Sequence, residues 1–146
     1  MSGTFEHLQV GAQFSSPTFQ LASDRVTEII GWAGYVHPLF TDPDYPKRVG
    51  FSGRIVPGEL VLLVLGGLAE QTGVFDETTL ALVELASVEF KKPAITGDSV
   101  RLNMEVVKKH ASSSGRRGFV TFKWTCLDQA DEIVLVAYAV LAFKID

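Results

Sequence analysis

The segment from Gly58 to Gly73, near the middle of the chain, predicts a helix that is apolar on every side. Its large apolar side chains are Leu60, Val61, Leu62, Leu63, Val64, Leu65 and Leu68. A helix without a polar face is stable only where other parts of the protein cover it all round. The longest apolar stretch, Leu60 to Leu68, is far shorter than the ~20 residues that a bilayer crossing needs. We therefore expect protein, rather than lipid, to enclose this helix.

The second half of the chain predicts the layer that covers the helix. Four strand-like runs lie at residues 79–90, 100–106, 119–127 and 133–145. The turns that join them lie at 91–98, 112–118 and 128–132. In the second run apolar and polar side chains alternate, which is the period of a strand with one face in water. The short turns favour antiparallel pairing. We predict a single α+β domain over residues 1–146, with an antiparallel sheet wrapped around the central helix, the arrangement called a hotdog.

The first half predicts a shorter helix and an irregular passage. Ser23 is the expected N-cap, and apolar residues follow at the spacing of one helical stripe until Gly34. Three prolines between Val36 and Pro46 then exclude long regular structure. Trp32 and Trp124 are interpreted as core or interface residues rather than ligand clamps.

Composition narrows the classes of function. The 146 residues are 47% hydrophobic, an excess that predicts a second subunit, and the net charge of -4 argues against a nucleic-acid partner. The single cysteine, Cys126, excludes an internal disulfide. The amino terminus lacks the basic segment followed by an apolar segment that a secretion signal has, so we expect a cytoplasmic protein. Metal-ligand spacing and nucleophile motifs are absent from the sequence.

Three passages resemble the MaoC-like hydratase and dehydratase family of hotdog proteins, which act on acyl thioesters of coenzyme A or acyl carrier protein. They are Gly34–Asp42, Phe51–Gly58 and Val88–Asp98. The resemblance covers nearly the whole chain. It implies an acyl thioester carried on coenzyme A or phosphopantetheine, no cofactor or metal of the protein's own, and assembly as a homodimer or as a hetero-oligomer with a MaoC-like paralogue.

The chain departs from the family at both positions of the usual acid/base pair. Tyr35 stands at the aspartate position and Phe40 at the histidine position, and Pro57 replaces the histidine that opens the central helix. Gly58 is retained where the family uses a backbone N–H to polarise the thioester carbonyl, a role that suits a helix N-terminus. The resemblance therefore implies that the chain retains the oxyanion site and lacks the residues that activate water.

Candidate replacements follow from chemistry. Tyr35 is interpreted as a proton donor, a substrate-orienting hydroxyl or a pocket wall, because an ordinary phenol is a poor base at neutral pH. His37 is interpreted as a structural hydrogen-bond partner or an acid/base group. Glu59 is either a replacement base or a residue that the helix dipole favours.

The remaining predicted pocket residues are substrate-binding. Phe40 is expected as an acyl-chain wall or simply as core, and Arg54 as a partner for phosphate, a partner for an interface carboxylate, or a solvated side chain. Val56 and Pro57 complete this predicted pocket with Glu59.

Two functions of different class are predicted. The first is hydration, dehydration or a related conjugate addition on an acyl or polyketide-type thioester, with Tyr35, His37 and Gly58 as the catalytic residues. The second is a noncatalytic subunit that binds the acyl thioester or supports a competent paralogue in a hetero-oligomeric dehydratase. A thioesterase is a third and weaker hypothesis, because the sequence follows the hydratase segment and offers only Glu59 as a carboxylate near the central helix.

Overall fold

The computed structural model describes residues 5–145, and its secondary structure begins with short elements. A 3-10 helix (Phe5–His7) precedes β1 (Gln13–Ser15), β2 (Phe19–Gln20), α1 (Ser23–Ala33), α2 (Pro38–Thr41), α3 (Tyr45–Arg48) and β3 (Ile55–Val56). The central helix and the long strands follow as α4 (Gly58–Gln71), β4 (Thr79–Phe90), β5 (Ala94–Ile95), β6 (Ser99–Ala111), β7 (Arg117–Asp128) and β8 (Ile133–Lys144).

The long strands form one antiparallel sheet in the order β1-β6-β7-β8-β4, with β2 also paired to β6. The sheet packs against α4, so the predicted fold class is confirmed, as are the four strand runs. The strands β3 and β5 pair separately and antiparallel, and their register sets Val56 opposite Ala94. This small sheet holds the chain directly before α4.

Alternating burial places the core between the sheet and α4. On β7 the inward residues Val120, Phe122, Trp124 and Cys126 are at most 4% exposed. The alternation predicted for residues 100–106 is confirmed, because Val100, Leu102, Met104 and Val106 are all buried. These side chains share one cluster with the inner face of α4.

The central helix is not covered all round, which corrects the prediction made from its composition. Leu60, Leu65 and Leu68 are buried against the sheet. Leu63, however, is 64% exposed, and Gly67 lies on the same open side. One sheet curves around only one side of a helix, so the opposite stripe faces outward.

The helix α1 confirms its predicted end and corrects its predicted start. It stops at Gly34, whose φ of 91° is the left-handed conformation that glycine adopts readily. Its N-cap is Ala22, and Ser23 is already helical. The hydroxyl of Ser23 accepts a hydrogen bond from Arg54 instead of capping the helix. Trp32 is 91% exposed and is therefore not part of the core.

The sequence patterns miss the shortest elements. The strands β1, β2, β3 and β5 have two or three residues each, too few to show a period. The predicted turn at 91–98 contains β5, and the proline-rich passage forms two single-turn helices, α2 and α3. Within residues 5–145, no helix combines the length and hydropathy required to cross a bilayer.

Candidate active site

The amino end of α4 presents two unused hydrogen-bond donors. Pro57 is the N-cap, and its carbonyl accepts from the N–H groups of Leu60 and Val61. The N–H groups of Gly58 and Glu59 find no acceptor among residues 5–145. Free N–H groups at a helix N-terminus bind an oxygen that carries negative charge. The structure thus provides the donors that an oxyanion site needs.

Gly58 packs closely against the Phe90 side chain. A Cβ atom added there would lie 2.4 Å from Cε1 of Phe90, at the end of β4. The Phe90 ring is itself 53% exposed, so it covers the helix start from the solvent side. A cleft of about 470 Å³ opens here, and Val56, Gly58 and Glu59 are among its walls. Phe90 is a site residue that the sequence did not single out, although it lies in the motif Val88–Asp98.

Tyr35 and Glu59 meet at this helix start although 24 positions separate them. The Tyr35 hydroxyl donates a hydrogen bond of 3.1 Å to Oε1 of Glu59. Burial raises the pKa of Tyr35 above its usual value, and the hydrogen bond to Glu59 and the charge of its carboxylate raise it further. The phenol therefore keeps its proton at neutral pH and acts as a donor rather than a base.

Phe40 packs beside this pair. Its ring contacts that of Tyr35 edge to face at a centroid distance of 5.4 Å, and both rings are partly buried against the core. A phenylalanine ring has no group that can donate or accept a proton at neutral pH, so Phe40 cannot act as an acid or a base. Phe40 thus packs against the core, which is one of its two interpretations, and its role as an acyl-chain wall stays a prediction.

His37 makes the structural hydrogen bond that was one of its two predicted roles. Its Nδ1 accepts from the N–H of Leu39 at 3.1 Å and so caps α2, the single-turn helix that carries Phe40. The ring is exposed and lies edge-on to Phe40 and Tyr45. One ring nitrogen is therefore committed to local structure.

Arg54 is buried behind the site, only 8% exposed, so it is not a solvated side chain. Its guanidinium donates to the carbonyl of Phe40 at 3.2 Å and to the carbonyl and hydroxyl of Ser23 at 2.8 and 2.9 Å. These bonds tie α2 to the first turn of α1. Arg54 thus positions the segment that carries Phe40.

The structure joins Tyr35 to Glu59, which follows Gly58, and packs Phe40 on Tyr35. Val56 is buried in β3 and Pro57 caps α4, so both support the helix start. Within the described chain, no group of three or more histidine, cysteine or acidic side chains is arranged to hold a metal ion. The chemistry that this arrangement supports is hydrogen bonding to a carbonyl oxygen beside a carboxylate.

An antiparallel sheet wrapped on one central helix is the hotdog arrangement. The chain belongs to the family described as FAS1-like, dehydratase domain region, whose model matches residues 8–137. It is MaoC-like within the hotdog proteins, and the resemblance read from its motifs is confirmed.

Similar proteins carry related descriptions. A 3-hydroxyacyl-[acyl-carrier-protein] dehydratase FabZ of Solibacter usitatus is 23% identical over 128 residues, which are 81% of this chain and 72% of that protein. A monoamine oxidase regulatory protein of Archaeoglobus fulgius has a structure similar over 100% of this chain and 97% of its own, with 25% identity and a TM-score of 0.91.

Two further solved structures are longer than this chain. A putative MaoC domain protein dehydratase of Chloroflexus aurantiacus matches 99% of this chain with 41% of its own length, at 16% identity and a TM-score of 0.90. A Mycobacterium tuberculosis protein with a double hotdog fold matches 98% of this chain with 44% of its own, at 21% identity and a TM-score of 0.85. Each similarity covers less than half of the longer protein.

Proposed function

We propose that this chain hydrates or dehydrates an acyl thioester, carried on coenzyme A or phosphopantetheine, with Glu59 and Tyr35 in place of the family's Asp/His pair. The observation that carries the proposal is the 3.1 Å hydrogen bond between Tyr35 and Glu59, beside the free N–H of Gly58. It puts a carboxylate, a proton donor and an oxyanion site at one helix start.

The helix start supplies the electrostatic part of the reaction. The thioester carbonyl oxygen accepts from the N–H groups of Gly58 and Glu59, and it gains negative charge as an enolate forms. Donors that are already oriented stabilise that charge without reorganising, and one well-aimed donor contributes ~3 kcal/mol. The same interaction serves hydration and dehydration, because both pass through the enolate.

The carboxylate moves the proton. In dehydration, Glu59 takes a proton from C2 of a 3-hydroxyacyl thioester, and the electron pair forms the enolate. The pair then forms the C2–C3 double bond as the C3–O bond breaks, and the proton on Glu59 leaves with the hydroxyl as water. Tyr35, which stays protonated, holds the Glu59 carboxylate by its hydrogen bond. Hydration is the reverse sequence.

Turnover of a short enoyl-CoA by the purified chain, followed as loss of the conjugated absorbance, tests this proposal. Glu59→Gln should lower kcat by about 100-fold or more, the usual contribution of a general base. Tyr35→Phe should lower it less, and the matched surface variant Glu28→Gln should not change it. His37→Ala separates the remaining candidate: a rate lost in His37→Ala but kept in Glu59→Gln would move the acid/base role to His37 and overturn the proposal.

The second candidate function is a noncatalytic subunit that binds the acyl thioester or supports a competent paralogue. Phe40 supports it, because its ring packs on Tyr35 at the position where the family resemblance places the imidazole. On this alternative the chain alone gives no turnover, and activity is present only after a partner that carries the Asp/His pair is added. That result would replace the first proposal with the second.

The assembly proposed for either function is a pair of these domains joined at β4. The strand lies at one end of the sheet order and exposes Leu82, Val83 and Leu85 by 50%, 51% and 40%. Long apolar edge strands are covered in stable proteins. The Mycobacterium tuberculosis protein with a double hotdog fold is more than twice as long as the part that this chain matches, which supports a paired arrangement.

A further inference from the structure

A second cleft, of about 350 Å³, lies between α1 and the end of α2. One wall is the side of α1 that carries Ser23, Thr27 and Gly31, and the facing wall includes Thr41. Three of these four residues have hydroxyl side chains. No residue of β4 lines the cleft, so it is separate from the edge through which two chains are proposed to pair.

Arg54 also lines this cleft, and it carries a buried charge that no carboxylate among residues 5–145 neutralises. The residue is 8% exposed. Its acceptors are the Phe40 carbonyl and the carbonyl and hydroxyl of Ser23, and all three are uncharged. Arginine is seldom buried unless an acidic group pairs with it, because a charge that is removed from water is costly to leave uncompensated. The position of a counter-charge beside Arg54 is therefore open to a ligand.

Two hydrogen-bond donors remain at this point. A guanidinium has five N–H donors, and the Nε–H of Arg54 has no acceptor among residues 5–145. The Nε atom is not one of the enclosed unpaired atoms in this part of the chain, so a ligand can reach it. The Ser23 hydroxyl lies 2.9 Å from Nη2 of the same guanidinium, and its own proton has no acceptor among the described residues. Adjacent donors, one of them on a cation, form strong hydrogen bonds to a carboxylate or a phosphate.

The acidic residues nearest in sequence do not occupy this position. The Asp24 carboxylate accepts from the N–H of the next residue at 2.9 Å, and the Asp42 carboxylate accepts from the N–H two positions later at 2.8 Å. Glu59 is held by the Tyr35 hydroxyl. None of these three carboxylates lines the cleft, so a bound anion does not have to displace an acidic side chain.

We propose that this cleft binds a small oxyanion, a carboxylate or a phosphate group, which pairs with the Arg54 guanidinium and accepts from the Ser23 hydroxyl. Tyr35 forms part of one wall, but its hydroxyl donates to Glu59 and is not needed for the anion. Binding there requires neither a thioester nor turnover, so the proposal stands or fails apart from the proposed function.

Nuclear magnetic resonance of the arginine Nε–H groups tests the proposal. The chain has six arginines, and Arg54→Lys identifies the Arg54 signal by its loss. Titration with sodium acetate and with sodium phosphate, each at an ionic strength held constant with sodium chloride, should shift that signal saturably for at least one anion. A response to acetate alone assigns a carboxylate ligand, and a response to phosphate alone assigns a phosphate group. The Arg25 side chain, which is 73% exposed, should show no saturable shift.

A serine variant measures the second donor and keeps the contacts of Arg54 with backbone carbonyls. Ser23→Ala removes the hydroxyl and should weaken anion binding about fivefold, as expected for one hydrogen bond. The matched control is Ser113→Ala, an exposed serine between β6 and β7, which should leave the affinity unchanged. A shift that is absent or unsaturable for both anions overturns the proposal. So does an Arg54 response no different from that of Arg25, or an affinity that Ser23→Ala leaves unchanged.

Discussion

The strands β4 and β7 have the same length, 12 residues each, and opposite surroundings. Alternate residues of β7 are buried, with Phe122 at 0% exposure, whereas Leu82 of β4 is 50% exposed. The exposed strand, β4, is the more apolar of the two, because β7 carries the charged residues Arg117, Lys123 and Asp128. The difference shows that the apolar side chains of β4 are not used by the core of this chain.

Position in the sheet explains the contrast. The strand β7 pairs on both sides, with β6 and β8, and its inner face packs on α4. Among the described strands, β4 pairs only with β8, and its register shifts at three places. One residue there, Ser87, has a φ of 51°. Bulges twist an edge strand, and most residues of β4 are exposed although Phe90 at its end contacts the start of α4.

The largest expected difference is in stability. Phe122→Ala should reduce the free energy of unfolding by about 3–5 kcal/mol, because it leaves a cavity in a packed core. Leu82→Ala should cost about 0.5 kcal/mol or less at low protein concentration, the usual range for exposed positions. Urea unfolding of both variants measures this. Equal losses would show that β4 belongs to the core of the single chain.

The next difference is in self-association. Leu85→Arg places a charge on the β4 edge and should weaken the pairing of two chains at least tenfold, which is ~1.4 kcal/mol. Sedimentation equilibrium measures it against the chain mass of 15.9 kDa. Val10→Arg is the matched control, because Val10 is 63% exposed and lies beside β1, near the other end of the sheet order. A native chain that is monomeric at high concentration, or a control that dissociates equally, would refute pairing through β4.

The smallest expected effect is on the pH dependence of stability. It concerns Asp128, a buried carboxylate at the end of β7. Asp128 is 1% exposed, and its oxygens accept from the Lys92 ammonium at 2.7 Å and from the N–H groups of Ala130 and Glu132. Burial alone would raise the pKa of Asp128, but Lys92 and the two backbone donors outweigh it and hold that pKa below its usual value.

A lowered folded-state pKa stabilises the protein only while the carboxylate is ionised. The contribution of Asp128 is therefore complete above ~pH 5 and is lost as the pH falls below ~4 and through the folded-state pKa. Asp128→Asn should lower the free energy of unfolding at pH 7 and flatten its decline between pH 5 and pH 2. Lys92→Gln should produce part of the same change. A decline as steep in Asp128→Asn as in the native chain would assign acid sensitivity to other carboxylates.

The sequence identified most residues of the candidate site, but it did not predict which of them are in contact. The motif positions identified Tyr35, Phe40, Gly58 and Glu59 as candidates from the printed sequence. Their contact could not be predicted, because the hydrogen bond between Tyr35 and Glu59 spans 24 positions and depends on how α2 folds back. The role of Arg54 was missed for the same reason, since its acceptors include backbone carbonyls, which sequence does not distinguish.

The sequence by itself determined the elements: an apolar helix from Gly58, four long strands with their turns, and a glycine where α1 ends. Local periodicity and turn chemistry are sufficient for that, because they act between near neighbours. Only the tertiary structure decided which apolar surfaces are used. It covered one side of α4, left β4 and Leu63 exposed, and buried the Trp124 N–H without an acceptor among residues 5–145. Burial depends on what packs from elsewhere in the chain, so the more apolar of two strands of equal length is the exposed one.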